Sequence, residues 1–381
     1  MERIPASGTL KMFEIAKRLE SQGKRIYHFE VGQPDFPTPD NIIKAGIEAL
    51  NHGFTRYTSS RGIPPLLDGI QEHYTGRGIS IDGSKNVIVT PGAKMALFQG
   101  FLSTLDQGDD VLLLSPSWPT YRVMIRTVGA KPVDVETHPG YRFDEETLKS
   151  SCSKSVTALV INSPNNPTGG ILEKDQMKLI YDLARDYDFV VFSDEIYEML
   201  VYDGFKQTSM LEIDPNLDHS LVINGFSKTY AMTGWRLGYA VGNEETINNM
   251  VRIQQNTTSC ATSFVQYAGS EALKGDQSSI KIMIEEYKKR RDIITNIFRS
   301  MESVECLKPK GAFYVFPDFS AYNLSSSTLA ELILMKTGVT STPGISFGTK
   351  YDNHLRFSYA TDISEIKEGL SGLSEFLSTL L

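Results

Sequence analysis

Cysteine is scarce in this chain: three in 381 residues, Cys152, Cys260 and Cys306, far apart and never in Cys-x-x-Cys spacing. Such spacing gives neither a disulfide framework nor a cysteine zinc site, and it fits a reducing compartment. The six histidines lack His-x-x-x-His and His-Glu-x-x-His spacing, so no metal site is expected. No stretch reaches the ~18 consecutive apolar residues that would cross a bilayer. The opening MERIPASGTLKMFEIAKRLE carries charges throughout and no apolar core of signal-peptide length. A soluble, cytoplasmic protein is the expectation. Excess positive charge is missing too: the formal net charge is -8 and the pI about 5.4, which argues against nucleic-acid or anionic-membrane partners. The one basic cluster, Lys288-Lys289-Arg290-Arg291, reads as a solvated helix face rather than a phosphate patch.

With 40% hydrophobic and 22% charged residues the chain has ordinary globular composition and is long enough for two domains. Between about residues 86 and 242, short apolar runs alternate with amphipathic stretches: NVIVTPGA, DDVLLLSPSW, TALVINSPNNPTGG, DFVVFSDEIY, HSLVINGFSK and RLGYAVG. Near-continuous Val, Ile and Leu bounded by turn residues is the pattern of strands covered on both faces, which predicts an α/β fold with a mainly parallel central sheet flanked by helices. From about 278 to 300, SIKIMIEEYKKRRDIITNIFRS has apolar residues at helical spacing, long enough to link two domains. The remainder, GAFYVFPDF and HLRFSYAT around STLAELILMKTG, reads as a smaller α+β domain.

Polar residues with chemical capability fall at the ends of these runs, where open α/β folds place their ligands. Lys228 follows the strand-like SLVIN and its Asn-Gly turn. A lysine taken out of water loses basicity and can attack a carbonyl as a free amine, although a solvated loop lysine is the commoner case. Arg236, eight positions on, offers a guanidinium fork suited to phosphate. Gly92, Ala93 and Lys94 follow one strand and open a helix, whose free N–H groups can cradle the same anion; alone, that turn is a weak signal. Asp194 ends DFVVFS, and a glycosidase-like acid pair with Glu195 is unfavoured because adjacent strand residues point to opposite faces. Asn166 in SPNNPTGG stands in a loop between strand and helix and is equally a helix-entry turn. Trp118 sits between prolines at a strand exit, awkward to bury fully. Arg356 lies within a strand, where it needs an anion or a structural salt bridge. Gly32, in FEVGQPDFPTP, permits close backbone approach or simply makes a turn.

The ordered set of these motifs, from about residue 28 to about residue 360, resembles the class I/II pyridoxal-phosphate-dependent aminotransferases of fold type I, closest to the thermophile type of aspartate aminotransferase. The resemblance implies residues 1–38 and 285–381 in a small domain around a large cofactor-binding domain at 39–284. It implies that Lys228 carries pyridoxal 5'-phosphate and shuttles a proton, that Asp194 holds the ring nitrogen, and that Tyr197 and Asn166 bind the phenolic oxygen. Trp118 would stack on the ring, while Gly92, Ala93, Lys94, Ser227 and Arg236 would hold the phosphate. The family often has a further phosphate-binding serine three residues before the lysine; here that residue is Gly225. Tyr57 matches a tyrosine that reaches the phosphate of the neighbouring subunit, which implies a homodimer with shared sites. Arg356 would pair with the substrate α-carboxylate beside Gly32, and Lys94 could read a distal carboxylate, pointing to aspartate with 2-oxoglutarate as acceptor. Aromatic amino acids, alanine and kynurenine stay open as donors, as does a carbon-sulfur β-lyase reaction on the same cofactor. A non-catalytic regulatory module is disfavoured by the intact Lys228 and by the lack of an N-terminal DNA-binding region.

Overall fold

The computed structural model describes residues 8–380, so the first seven residues of the expected N-terminal segment lie outside the description. Seven strands form one sheet: β1 (Val87–Thr90), β2 (Asp110–Ser115), β3 (Lys131–Glu136), β4 (Val156–Asn162), β5 (Val190–Asp194), β6 (Ser220–Gly225) and β7 (Gly238–Gly242). Their order is β1-β7-β6-β5-β4-β2-β3, parallel except where β7 runs against β1 and β6. All six apolar runs are strands of this sheet, in the mainly parallel arrangement expected. Alternate side chains of each strand enter different cores: Val87, Val89, Leu112, Leu114, Ile161 and Val191 one, and Ile88, Val111, Leu113, Val160 and Phe192 the other. That two-sided burial is why the runs are apolar throughout instead of alternating. β3, at one edge, has no such run, and only Val135 of its six residues is buried; β1, at the other edge, is buried throughout.

A third core gathers Met12, Ala16, Leu19, Ile26 and Phe29 from the start of the chain with Tyr314, Val315, Leu355, Phe357 and Leu370 from its end. A second, antiparallel sheet runs through it: β8 (Tyr314–Val315), β10 (Leu355–Ser358) and β9 (Thr342–Pro343), in that order. The N-terminal stretch is tied on by backbone bonds, Tyr27 N–H to Gly338 O at 2.8 Å and Ser358 N–H to Phe29 O at 2.7 Å. Helix Ser278–Ser300 bridges the units, with Ile280 in a large-sheet core and Met283, Tyr287, Ile294 and Phe298 in the third.

Of the basic cluster on this helix, Lys289 is exposed as expected, but the two arginines depart from a solvated face. Arg290 and Arg291 are buried, Arg290 holding both Asp35 carboxylate oxygens at 2.8 Å and Arg291 pairing with Asp203 and Asp292. Asp35 and Asp203 come from distant parts of the chain, so the local pattern of charge could not reveal them. Arg291 also donates to Pro309 O at 3.2 Å. Arg291→Met should remove these contacts, leaving Asp203 and Asp292 to Lys288 and Lys308, and lower stability by about 1–3 kcal/mol in urea unfolding; an unchanged midpoint would mean that the pairs are idle.

Candidate active site

One cleft of about 580 Å³ lies at the carboxyl edge of the large sheet, closed by residues from the third core. Its position follows from topology: parallel strands β4, β5 and β6 all end there, and each delivers a polar residue where the regular ladder stops. Asn162 ends β4, Asp194 ends β5, and Lys228 comes three residues after β6. Arg356, on β10, and Gly32 reach the same cleft from the other unit.

The Lys228 amine donates to Gly32 O at 2.6 Å. Burial lowers its pKa to about 8, helped by the positive charges of Arg356, Arg236 and Lys94 and opposed by Asp194. Asp194 is itself buried, which raises its pKa to about 6 against the hydrogen bonds that favour the anion. Those bonds come from Tyr121 Oη at 2.5 Å and Ile196 N–H at 3.2 Å. Glu195 takes no part: its carboxylate accepts from Ser193 Oγ and Met210 N–H, both at 2.9 Å, and it is absent from the cleft lining.

Around the helix Ala93–Thr104 the chain forms a cradle. Gly92 caps it at φ 86°, a left-handed conformation that favours glycine, and a Cβ there, 2.6 Å from Arg236 Nη2, would push the guanidinium aside. The first-turn N–H groups of Ala93 and Lys94 lie beyond the reach of helical acceptors, and both residues line the cleft together with Arg236. Arg236 is braced by a bond to Thr233 O at 2.9 Å. Ser227 also lines the cleft. Gly225, where a serine would add a hydroxyl, packs against β7: a Cβ would meet Gly238 Cα at 2.9 Å, so a side chain there demands a shift of backbone.

Arg356 is 4% exposed and bonds only neutral oxygens: Asn166 Oδ1 at 3.0 Å, Glu30 O at 2.6 Å and Thr342 Oγ1 at 3.1 Å. Its Nε has no partner, and among the described residues no carboxylate pairs with it, so the structural salt bridge left open by the sequence is not formed. Asn166 thus shares its side-chain oxygen with Arg356, and the Tyr197 hydroxyl is 2.9 Å from that of Tyr314. Trp118 begins helix Pro119–Thr127, with the Lys94 ammonium 5.0 Å from its ring.

The cleft therefore brings together Gly32, Ala93, Lys94, Trp118, Asn166, Asp194, Tyr197, Ser227, Lys228, Arg236 and Arg356, with Gly92 immediately behind Ala93. Tyr57 is outside it, 85% exposed. Tyr121, Asn162, Tyr314 and Glu30 line the cleft without having been singled out. Tyr121 and Asn162 had a readable signal, since they stand three and four residues from Trp118 and Asn166 on the same turns; Tyr314 and Glu30 had none beyond their strand-like neighbours. An attacking amine, a buried carboxylate beside it, and a cationic helix end with glycine-cleared space fit pyridoxal phosphate.

A family model for aminotransferase class I and II matches residues 24–373. The chain is 40% identical to a (5-formylfuran-3-yl)methyl phosphate transaminase of Methanocaldococcus jannaschii, covering 97% of this chain and 96% of that one. It is 34% identical to aromatic-amino-acid aminotransferase 2 of Thermococcus litoralis, covering 99% and 97%. Among solved structures it superposes on aspartate aminotransferase from Thermus thermophilus with maleate at TM-score 0.93, with 35% identity over 99% of this chain and 97% of that chain.

In the cofactor-free protein, folded Lys228 binds fewer protons than unfolded lysine between about pH 8 and the ordinary value of 10.5. It therefore weakens the fold fully below pH 8, and the penalty fades as pH rises toward 10.5. Lys228→Met should be more stable than wild type at pH 7, with the excess shrinking across that window in urea titrations. A pH-independent difference would contradict the shifted amine.

Proposed function

This chain belongs to the class I and II aminotransferases, enzymes dependent on pyridoxal phosphate, and from that premise we propose that it transfers the amino group of L-aspartate to 2-oxoglutarate. Lys94 carries the choice of donor. Its ammonium is half-buried at the cleft, over the Trp118 ring, and its pKa is lowered by burial and by Arg236, with no acidic partner among the described residues. A half-buried cation without a counter-ion favours a ligand that brings one. With the phosphate at Arg236 and an α-carboxylate at Arg356, a distal carboxylate is the anion left for Lys94. The likeness to a Thermus aspartate aminotransferase solved with maleate, itself a dicarboxylate, supports this reading, and the aromatic alternative is not better supported.

The fit of the cradle supports Gly92, Ala93, Lys94, Ser227 and Arg236 as the phosphate holders, Asp194 as partner of the ring nitrogen, and Tyr197, Asn166 and Trp118 as further contacts of the ring. When bound, the cofactor supplies an aldehyde for amine attachment and a ring that stabilises negative charge at the substrate Cα. The residues do the rest. Arg356 and Gly32 orient the α-carboxylate, and Asn166 shares Arg356's fork and so fixes its angle. Lys228, whose neutral form is accessible near pH 8, takes the Cα proton at Nζ and holds it for return. Asp194 stays anionic opposite a protonated nitrogen, helped by the Tyr121 hydroxyl. The two half-reactions share one site, so kinetics are ping-pong.

Lys228→Ala should abolish turnover, and Lys94→Met should lower kcat/KM for aspartate by about 10- to 100-fold, the loss of one charge-assisted contact, while alanine or phenylalanine changes little. An equal loss with every donor would assign Lys94 to the cofactor alone and overturn the aspartate reading.

The same reading carries a homodimer with shared sites. Tyr57 is 85% exposed, with Phe54, Ile47 and Leu50 also exposed nearby in sequence, an apolar surface suited to a second copy. Light scattering should give twice the chain mass, and Tyr57→Phe should weaken cofactor affinity severalfold. A monomer with full cofactor affinity would remove Tyr57 from the site.

A further inference from the structure

Glu30 is 0% exposed and carries two functions on one residue. Its backbone oxygen accepts from Arg356 Nη2 at 2.6 Å, so it is fixed against the arginine. The residue belongs to the cleft lining, but its carboxylate is bonded by the Thr340 hydroxyl and by His28 Nδ1 at 2.9 Å. On the ring's other side, His28 Nε2 meets Glu20 at 3.0 Å, on helix Gly8–Ser21, whose Phe13 also lines the cleft. Caught between two carboxylates, His28 has its pKa raised to about 9, by the bond to Glu30 first.

The arrangement poses a physical question. A buried guanidinium and a buried carboxylate held on touching residues attract strongly, and a closed pair would cancel the charge that a substrate carboxylate needs. Yet no carboxylate pairs with Arg356, whose acceptors are neutral and whose Nε is unused. Glu30 is occupied by a different cation.

We propose that His28 and Glu30 are positioning residues for substrate binding: the His28 imidazolium, with Thr340, holds the Glu30 carboxylate away from Arg356 and so keeps the guanidinium open for the substrate α-carboxylate. Removing the cation frees Glu30 to turn toward Arg356 and compete with substrate. This rests on Arg356 being the α-carboxylate site, and the experiment separates the two claims.

Holoenzyme variants are compared by KM and kcat for whichever α-amino acid wild type uses best, and by isothermal titration of succinate. His28→Gln should raise KM and the succinate Kd about tenfold, the scale of one charge-assisted contact, with kcat within about twofold. The double variant His28→Gln with Glu30→Gln should return both constants to within about threefold of wild type, because the competing carboxylate is gone. His28→Lys, which keeps a cation facing Glu30, should hold KM near wild type and supplies the comparison if His28→Gln does not fold. Unchanged binding in His28→Gln, a double variant no better than the single, or a tenfold rise in His28→Lys each overturns the inference, since a merely structural histidine predicts no rescue. Arg356→Gln is the control: if it leaves KM unaffected, the assignment of Arg356 fails first and the inference with it.

Discussion

The Lys228 ammonium stands in a cleft where most neighbouring charge has its own sign. Burial, Arg356, Arg236 and Lys94 all push its proton off, and Asp194 alone favours keeping it. An isolated chain would not gather these groups, because the cost of desolvating several cations together exceeds any local gain. The packed sheet makes it tolerable. Three apolar cores hold the strands rigidly, and the polar residues occupy the few positions where the ladders end and backbone turns away. Under the proposed function, ligands that carry phosphate and carboxylate would relieve the stored electrostatic cost. Affinity and an active amine would then have one origin, the shortage of protein anions in the cleft.

Much of this was legible because the informative residues act close to where they stand in sequence. The six apolar runs are buried on both faces, so composition alone marks them as sheet interior. Gly92, Lys228 and Arg236 sit on short turns whose chemistry is local. What could not be read depends on pairing across the chain. Arg290 and Arg291 looked solvated because their partners Asp35 and Asp203 lie some distance away in the chain. β3 was invisible because an edge strand with one buried residue needs no apolar run. Tyr314 meets Tyr197 within the third core from a distant part of the chain, and its hydroxyl would crowd a Cβ on Gly32, a relation between three segments.

Domain arrangement matters to the chemistry for the same reason. Lys228, Asp194 and Arg236 belong to the large sheet, whereas Arg356, Glu30 and Gly32 come from the unit built on the third core. The Lys228 bond to Gly32 O and the Arg356 bond to Asn166 cross between them. Under the proposed function, a substrate held at Arg356 would thereby be held against Lys228, so that binding and orientation would be one event. The long helix Ser278–Ser300 is packed into both units through Ile280 on one side and Met283, Tyr287, Ile294 and Phe298 on the other.

A cationic cleft selects carboxylates only if the protein's own carboxylates are kept from filling it, and each acid near this cleft is engaged elsewhere. Asp194 is held by the Tyr121 hydroxyl and a backbone N–H. Glu195 lies on the opposite face of the sheet, bonded to Ser193 and Met210. Glu198, next along the same segment, pairs with His73 at 3.0 Å and Arg77 at 2.6 Å. Glu30 lies nearest Arg356 and is turned to His28 and Thr340. The basic residues that accept these acids, His28, His73 and Arg77, form no part of the cleft lining. Under the proposed function, every carboxylate they occupy would be one fewer competitor for Arg356 and Lys94. On that reading, substrate choice would reside as much in the pairing of the chain's acids as in the cations that touch the ligand.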